Sequence, residues 1–248
     1  MKQYISIFFA LIFVSSASWA QTKAEADSAY INKEYTKAID IYEQLLQQGE
    51  SGEIYYNLGN AYFKQDKLGR AILNYERALI IQPGNADVSA NLDIARAKTV
   101  DKINPNPEIF FVAWTRSLIN SLSVDTWGAW GIGFFICTLV ALAIYFFTKG
   151  VRWRKIGFFV ALISLIISIV TNLFAFEQKR KIDHRTDAIV LSPSVTVRST
   201  PSDEGTSLFV IHEGRKVSIK DDSMKEWKEI TLEDGKVGWI PVSAIEII

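Results

Sequence analysis

Two long apolar runs constrain this chain more than anything else in it. Thr126–Thr148 lies between Asp125 and Lys149, Ile156–Phe176 lies between Lys155 and Glu177, and neither run holds an acidic or basic residue. Each reaches the ~20 residues that a helix needs to cross a hydrocarbon core of about 30 Å. Backbone in lipid must satisfy its own hydrogen bonds, so the expected structure is a hairpin of two membrane helices. Trp127 and Trp130 open the first run, at the depth where aromatic side chains favour the headgroup boundary. Two core helices of a soluble domain are the alternative. An ion or proton path would need several charged groups inside the runs, and there are none. Cys137, the single cysteine, reads as a small apolar residue there and excludes a disulfide within the chain.

Topology is argued from charge. Lys2, the apolar stretch Ile5–Val14 and the small residues around Ser18-Trp19-Ala20 read as a secretion signal over residues 1–20, with an uncleaved anchor as the alternative. Both readings export the segment beyond residue 20. The short loop 149–155 carries Lys149, Arg152, Arg154 and Lys155 without an acid, which favours the cytoplasmic side. Lys179, Arg180, Lys181 and Arg185 pull the other way, diluted by Glu177 and Asp183. Signal and loop together place the chain in the inner (cytoplasmic) membrane, with both soluble parts periplasmic. Lys plus Arg equals Asp plus Glu, 27 each, so the basic excess expected of a nucleic-acid binder is missing. The chain then divides into a signal (1–20), a helical module (22–99), a juxtamembrane linker (100–125), two membrane helices (126–148 and 156–176) around the loop, a second linker (177–186) and a β-domain (187–248). Within the first linker, after Pro105 and Pro107, Ile109–Leu122 predicts a helix with Trp114, Leu118 and Leu122 on one stripe and Arg116, Ser117 and Asn120 elsewhere. It either lies in the membrane interface or packs on the helical module.

The helical module shows an internal repeat. Tyr55, Leu58-Gly59, Tyr62, Ala71, Tyr75, Ala78 and Pro83 alternate small and large residues as two closely packed helices require, and Pro83 stops the second. Ala29-Tyr30, Ala38, Tyr42 and Leu45 form a weaker copy at a spacing of 32 to 33 residues, with an inter-helix turn one residue shorter and Gly49 and Gly52 in place of the proline. Asn91-Leu92 repeats Asn57-Leu58 after 34 residues, so Ala86–Lys98 predicts a capping helix. The pattern resembles the tetratricopeptide repeat family, with Tyr55 where Trp is commonest. Two repeats and a cap are marginal, since stacked neighbours bury the core of each repeat. The resemblance implies a protein-binding concave face bearing Glu53, Tyr56, Asn57, Asn60, Phe63 and Lys64. Asn57, Asn60 and Lys64 at helical spacing suit a carboxylate or a backbone amide. The alternative is that the two asparagines are solvated or bond within the repeat.

After Asp187 the pattern changes to short alternating stretches: 188–191, 195–198, 209–211, 217–220, 227–232 and 237–240, with Asp234-Gly235 as a tight hairpin turn and Gly238 freeing the backbone to turn into the last strand. Val195-Thr196-Val197-Arg198-Ser199, Glu213-Gly214, Trp227 and Gly238-Trp239-Ile240-Pro241 resemble bacterial SH3 domains, which implies an all-β SH3-like barrel. Members of that family bind peptides or wall polymers, so Trp227, Trp239 and Pro241 are candidates for a groove; the alternative is that they close the barrel core. His184 and His212 stand apart from any acid, thiol or serine arrangement, so no catalytic residue, metal site or cofactor is expected.

The order of parts, with Asn91-Leu92-Asp93-Ile94-Ala95-Arg96-Ala97-Lys98-Thr99-Val100-Asp101-Lys102-Ile103 leading into a Phe/Trp-rich segment, resembles the BatE-type family of the Bacteroides aerotolerance operons. That resemblance implies a non-enzymatic membrane scaffold whose partners are other Bat proteins with von Willebrand A domains and a MoxR-type AAA+ ATPase system. The alternative is an envelope tether whose SH3 domain binds peptidoglycan while the repeats recruit a client.

Overall fold

The computed structural model describes residues 22–102 and 109–248; the signal segment, Pro105 and Pro107 lie outside them. The described residues form two compact units. One holds everything described up to Leu79, the stretch from Asn85 and the C-terminal segment Thr186–Ile248; the other holds Ile80–Gly84 and the segment running on to Arg185.

In the first unit, α1 (residues 22–31) is followed by α2 (Tyr35–Leu46), α3 (Gly52–Lys64), α4 (Leu68–Ile81) and α5 (Ala86–Lys98). Both helix pairs turn in the same way. Lys33 and Asp66 take left-handed backbone (φ 63° and 59°), and Glu34 N–H donates to Ala29 C=O as Lys67 N–H donates to Tyr62 C=O. The two turns are therefore of equal length, at a constant spacing of 33 residues, and the first is not shorter as the Ala29-Tyr30 match suggests. In this register Ala26, fully buried, corresponds to Gly59. A Cβ on Gly59 would lie 2.7 Å from the Tyr75 ring, so this crossing accepts only glycine. Ser51 and Asn85 cap α3 and α5 by accepting from their first-turn N–H groups.

The C-terminal segment forms β1 (Asp187–Val190), β2 (Ser194–Arg198), β3 (Ser207–His212), β4 (Lys216–Asp221), β5 (Trp227–Thr231), β6 (Val237–Pro241) and β7 (Ile245–Ile247). They make one antiparallel sheet, in the order β3-β2-β6-β5-β4-β1-β7, with no pair joining β3 to β7. Ala188, Val190, Val197, Ile211, Val217, Ile230 and Ile240 share one core, so the sheet curls around a single interior. All six expected strands form; the three-residue β7 is an addition. Gly235 takes φ +84° in the β5–β6 hairpin, as Asp234-Gly235 predicts. Gly238 makes no turn. It sits in the middle of β6, where a Cβ would run into the Val197 side chain of β2.

The sheet docks on the repeats through its β3–β4 turn. Glu213 Oε1 accepts from the Gly69 N–H at the start of α4 (2.8 Å), doing for that helix end what a local cap would do. Gly214 (φ +84°) leaves room only for hydrogen, since a Cβ would lie 2.7 Å from Thr99 Cγ2 and 2.8 Å from Ile72 Cδ1. His212 is not isolated: its backbone N–H donates to Asp101 Oδ2 and its Nδ1 lies 2.8 Å from Asp101 Oδ1. A separation of 111 residues hid that pairing from the sequence. Glu76, with 9% of its side chain exposed, meets both Arg96 and Lys216, the latter at 3.0 Å. Burial works to lower the Lys216 pKa, but Glu76 and Asp187 outweigh it and hold the ammonium above its ordinary value. Arg77 donates to Ile247 C=O and to Glu246, tying β7 to the same helix.

The second unit contains α6 (Phe110–Ile119), α7 (Val124–Phe147) and α8 (Val151–Asp183). Helices α7 and α8, of 24 and 33 residues, are long and apolar enough to cross a membrane. They pack along a seam of small and polar residues. A Cβ on Gly157 would lie 2.8 Å from Ala141 C=O; Thr138 and Ser164 hydroxyls bond at 2.8 Å; and Ser168 donates to Gly131 C=O. Phe135, Ile136, Leu139, Ile163, Ile166 and their neighbours stay exposed. Helix α8 runs through both expected boundaries, from Val151 to Asp183, because nothing between Phe176 and Asp183 breaks a helix.

Gly214→Val tests the docking. A β-branched residue at φ +84° costs about 1–3 kcal/mol by itself, and its side chain forces the turn off Ile72 and Thr99. The expected outcome is a lower melting temperature and new protease cleavage between α5 and β1, read by mass spectrometry. Unchanged melting and cleavage would mean that the two modules do not depend on this contact.

Candidate functional site

Helices α1, α2 and α3 enclose a groove of about 290 Å³ lined by Asp27, Tyr30, Ile31, Tyr42, Asn57 and Asn60. Its floor is a hydrogen-bond network. Asp27 Oδ1 accepts from Tyr42 Oη–H (2.5 Å) and Asn57 Nδ2 (3.2 Å), and Oδ2 accepts from Lys23 Nζ (2.8 Å), which also pairs with Glu53 (2.9 Å). Burial opposes ionisation of Asp27, but the bonds from Lys23, Tyr42 and Asn57 outweigh it and hold the carboxyl below its ordinary value. Burial, then the bond to Asp27, pushes the Tyr42 phenol well above its ordinary value. At the other end Asn60 Oδ1 accepts from Tyr75 Oη–H (2.8 Å) and Asn91 Nδ2 (2.9 Å), and Asn91 also donates to Tyr56 Oη. Tyr62, outside the groove, donates to Glu43 and is pushed up to about 12 by burial and that bond.

Each asparagine thus commits one end of its amide and keeps the other. Among the described residues, Asn57 Oδ1 and Asn60 Nδ2 have no hydrogen-bond partner. They lie one turn apart on α3, one an acceptor and the other a donor, beside the Tyr30 ring and Ile31, which is 77% exposed. An extended peptide group offers the complementary donor and acceptor.

Of the residues expected on this face, Asn57 and Asn60 line the groove and Tyr56 borders it through Asn91. Glu53 is drawn to Lys23, Phe63 lies under the Lys98 ammonium (4.4 Å to the ring centre), and Lys64 is exposed. Asp27, Tyr30, Ile31 and Tyr42 are absent from the expected set. The 33-residue register was the missed signal, because it maps Asp27, Tyr30 and Ile31 onto Asn60, Phe63 and Lys64.

A second surface lies on the sheet. Trp227 pairs with Pro241 across β5–β6, and Trp239 is two residues from Pro241 on the same face, opposite the inward Gly238 and Ile240. All three are half-buried and none belongs to the core of the sheet. Arg198 of β2 stands beside Trp239 in the ladder.

The segment 52–85, which spans α3 and α4, matches the tetratricopeptide repeat family. No curated protein matches the chain. Among the described residues, no group of three or more His, Cys, Asp or Glu is placed to hold a metal ion.

The Asp27 network gives a pH signature with a definite sign. Its folded-state pKa is lowered, so the stabilisation is present above the unfolded value near pH ~3.9 and is lost as the pH falls through the folded value. Asp27→Asn is expected to lower the melting temperature at pH 7 and to flatten its decline on the acid side, measured by calorimetry from pH 7 to pH 3. An unchanged acid slope would remove Asp27 as its source.

Proposed function

We propose that this protein is a non-enzymatic, membrane-anchored scaffold whose α1–α3 groove holds an extended segment of a partner protein. The observation that carries the reading is the free acceptor and donor pair on Asn57 and Asn60, preset by Asp27, Tyr75 and Asn91 beside an exposed apolar wall. A groove ordered by its own network loses little entropy on binding. The tetratricopeptide match supports a protein partner, and α7 and α8 support an anchor in a bilayer. On the family resemblance, the setting is the periplasmic side of the inner membrane, the C-terminal sheet is an SH3-like domain, and the partners are von Willebrand A-domain Bat proteins working with a MoxR-type AAA+ ATPase in tolerance of oxidative stress.

One observation favours a second reading, an envelope tether. Trp227, Trp239 and Pro241 share the face of the sheet away from its core, and aromatic faces suit the sugar rings of peptidoglycan.

In-cell crosslinking, then detergent extraction and mass spectrometry, separates the two. Ile31→Asp alters the exposed groove wall without touching the network, and Trp239→Ala alters the sheet. The scaffold reading expects von Willebrand A-domain membrane proteins to be captured by the native chain and at least about tenfold less by the groove variant, as loss of a central contact implies. Capture of wall fragments lost only in Trp239→Ala would replace it with the tether.

A further inference from the structure

We infer that α6 is a membrane-surface anchor, laid in the interface of the bilayer and held there by Gln178. The inference rests on reading α7 and α8 as membrane spans. Helix α6 buries none of its residues, although Ile109 is 75%, Phe110 82%, Phe111 69% and Trp114 53% exposed. At about 100° per residue, Phe110, Phe111, Trp114 and Leu118 fall within an arc of roughly 100°, with Arg116 nearly opposite. The Phe111 and Trp114 rings pack together at 6.2 Å on that face, and Thr115 turns its hydroxyl back onto Phe111 C=O. Leu122 does not extend the stripe, because the helix ends at Ile119.

The cover of this face is indicated by the contacts that hold its end. Gln178 Nε2 of α8 donates to both Ile119 C=O (2.6 Å) and Leu122 C=O (2.7 Å), and Trp127 Nε1 of α7 donates to Ile119 C=O (2.9 Å). Side chains from the two candidate spans thus clasp the carbonyls at the C-terminus of α6. The C-terminal end of α6 is therefore held beside Trp127 and Gln178, next to exposed Trp130 and Phe176 at the ends of the apolar runs. Ten residues make a helix about 15 Å long, too short to cross the core, so it lies along the boundary with Arg116 turned to the headgroups.

The test uses the full chain in nanodiscs of zwitterionic and anionic phospholipid, in a Cys137→Ser background, with one fluorophore attached at Trp114→Cys, Arg116→Cys or Phe135→Cys. Brominated acyl chains are expected to quench the label at 114 about threefold more than at 116, aqueous iodide is expected to do the reverse, and Gln178→Ala is expected to erase the difference. Iodide quenching at 114 equal to that at 116 overturns the anchor, as does protection of 114 from both quenchers, which would mean a protein cover. A difference that survives Gln178→Ala overturns the clamp. The label at 135, on the exposed side of α7, reports the premise: if brominated lipid leaves it unquenched, the spans themselves fail.

Discussion

Glu76 is a buried carboxylate, and such a group destabilises a fold unless its partners are good. Its partners come from two modules: Arg96 from the last repeat helix and Lys216 from the sheet. Around that triad the rest of the docking is assembled. Glu213 ends on the first turn of α4, Gly214 lies flat against Ile72 and Thr99, and Arg77 holds β7 from the same helix. Helix α4 is therefore covered by the sheet on one side and by α3 on the other. A stack of two repeats and a cap has too few neighbours to bury its faces alone. Here the sheet supplies a neighbour, and the face of α4 that carries Ile72 and Glu76 becomes interior.

This arrangement bears on the groove. Tyr75 donates to Asn60 on the groove side of α4, and the next residue, Glu76, is bound to the sheet. One rigid helix thus carries both contacts, so the geometry of Asn60 and the seating of the sheet are set together. The groove is preset by internal bonds rather than by a ligand. Its unused amide ends are left over once Asp27, Tyr75 and Asn91 have taken theirs.

The second unit obeys a different physics. With apolar residues exposed along α7 and α8, helix contact is made by Gly131, Gly157, Thr138, Ser164 and Ser168, which allow close approach and bond across the seam. Apart from Trp127 at one end, the hidden side chains are small or polar and the large apolar ones are exposed, the reverse of the repeat core. Gln178 extends that logic beyond the apolar run by satisfying two carbonyls at the end of α6.

The sequence alone determined the parts. Local periodicity carries the repeat helices, uncharged length carries α7 and α8, and alternation with Asp234-Gly235 carries six strands, because each of these depends on neighbours within a few residues. It also placed Asn57 and Asn60 together on one face of α3, since a helix fixes that geometry from spacing. Only the tertiary structure decided how the parts are used. The pairing of His212 with Asp101, the capping of α4 by Glu213 and the meeting of Lys216 with Glu76 join residues more than 100 positions apart. The role of Gly238 was misread for the same reason: it must avoid Val197 on another strand, not its own backbone. Four of the six groove residues were missed, Asp27 and Tyr42 among them because they act as polar floor only after three helices close around them. Burial changes what a carboxylate and a phenol can do, and burial is a property of the fold rather than of the chain.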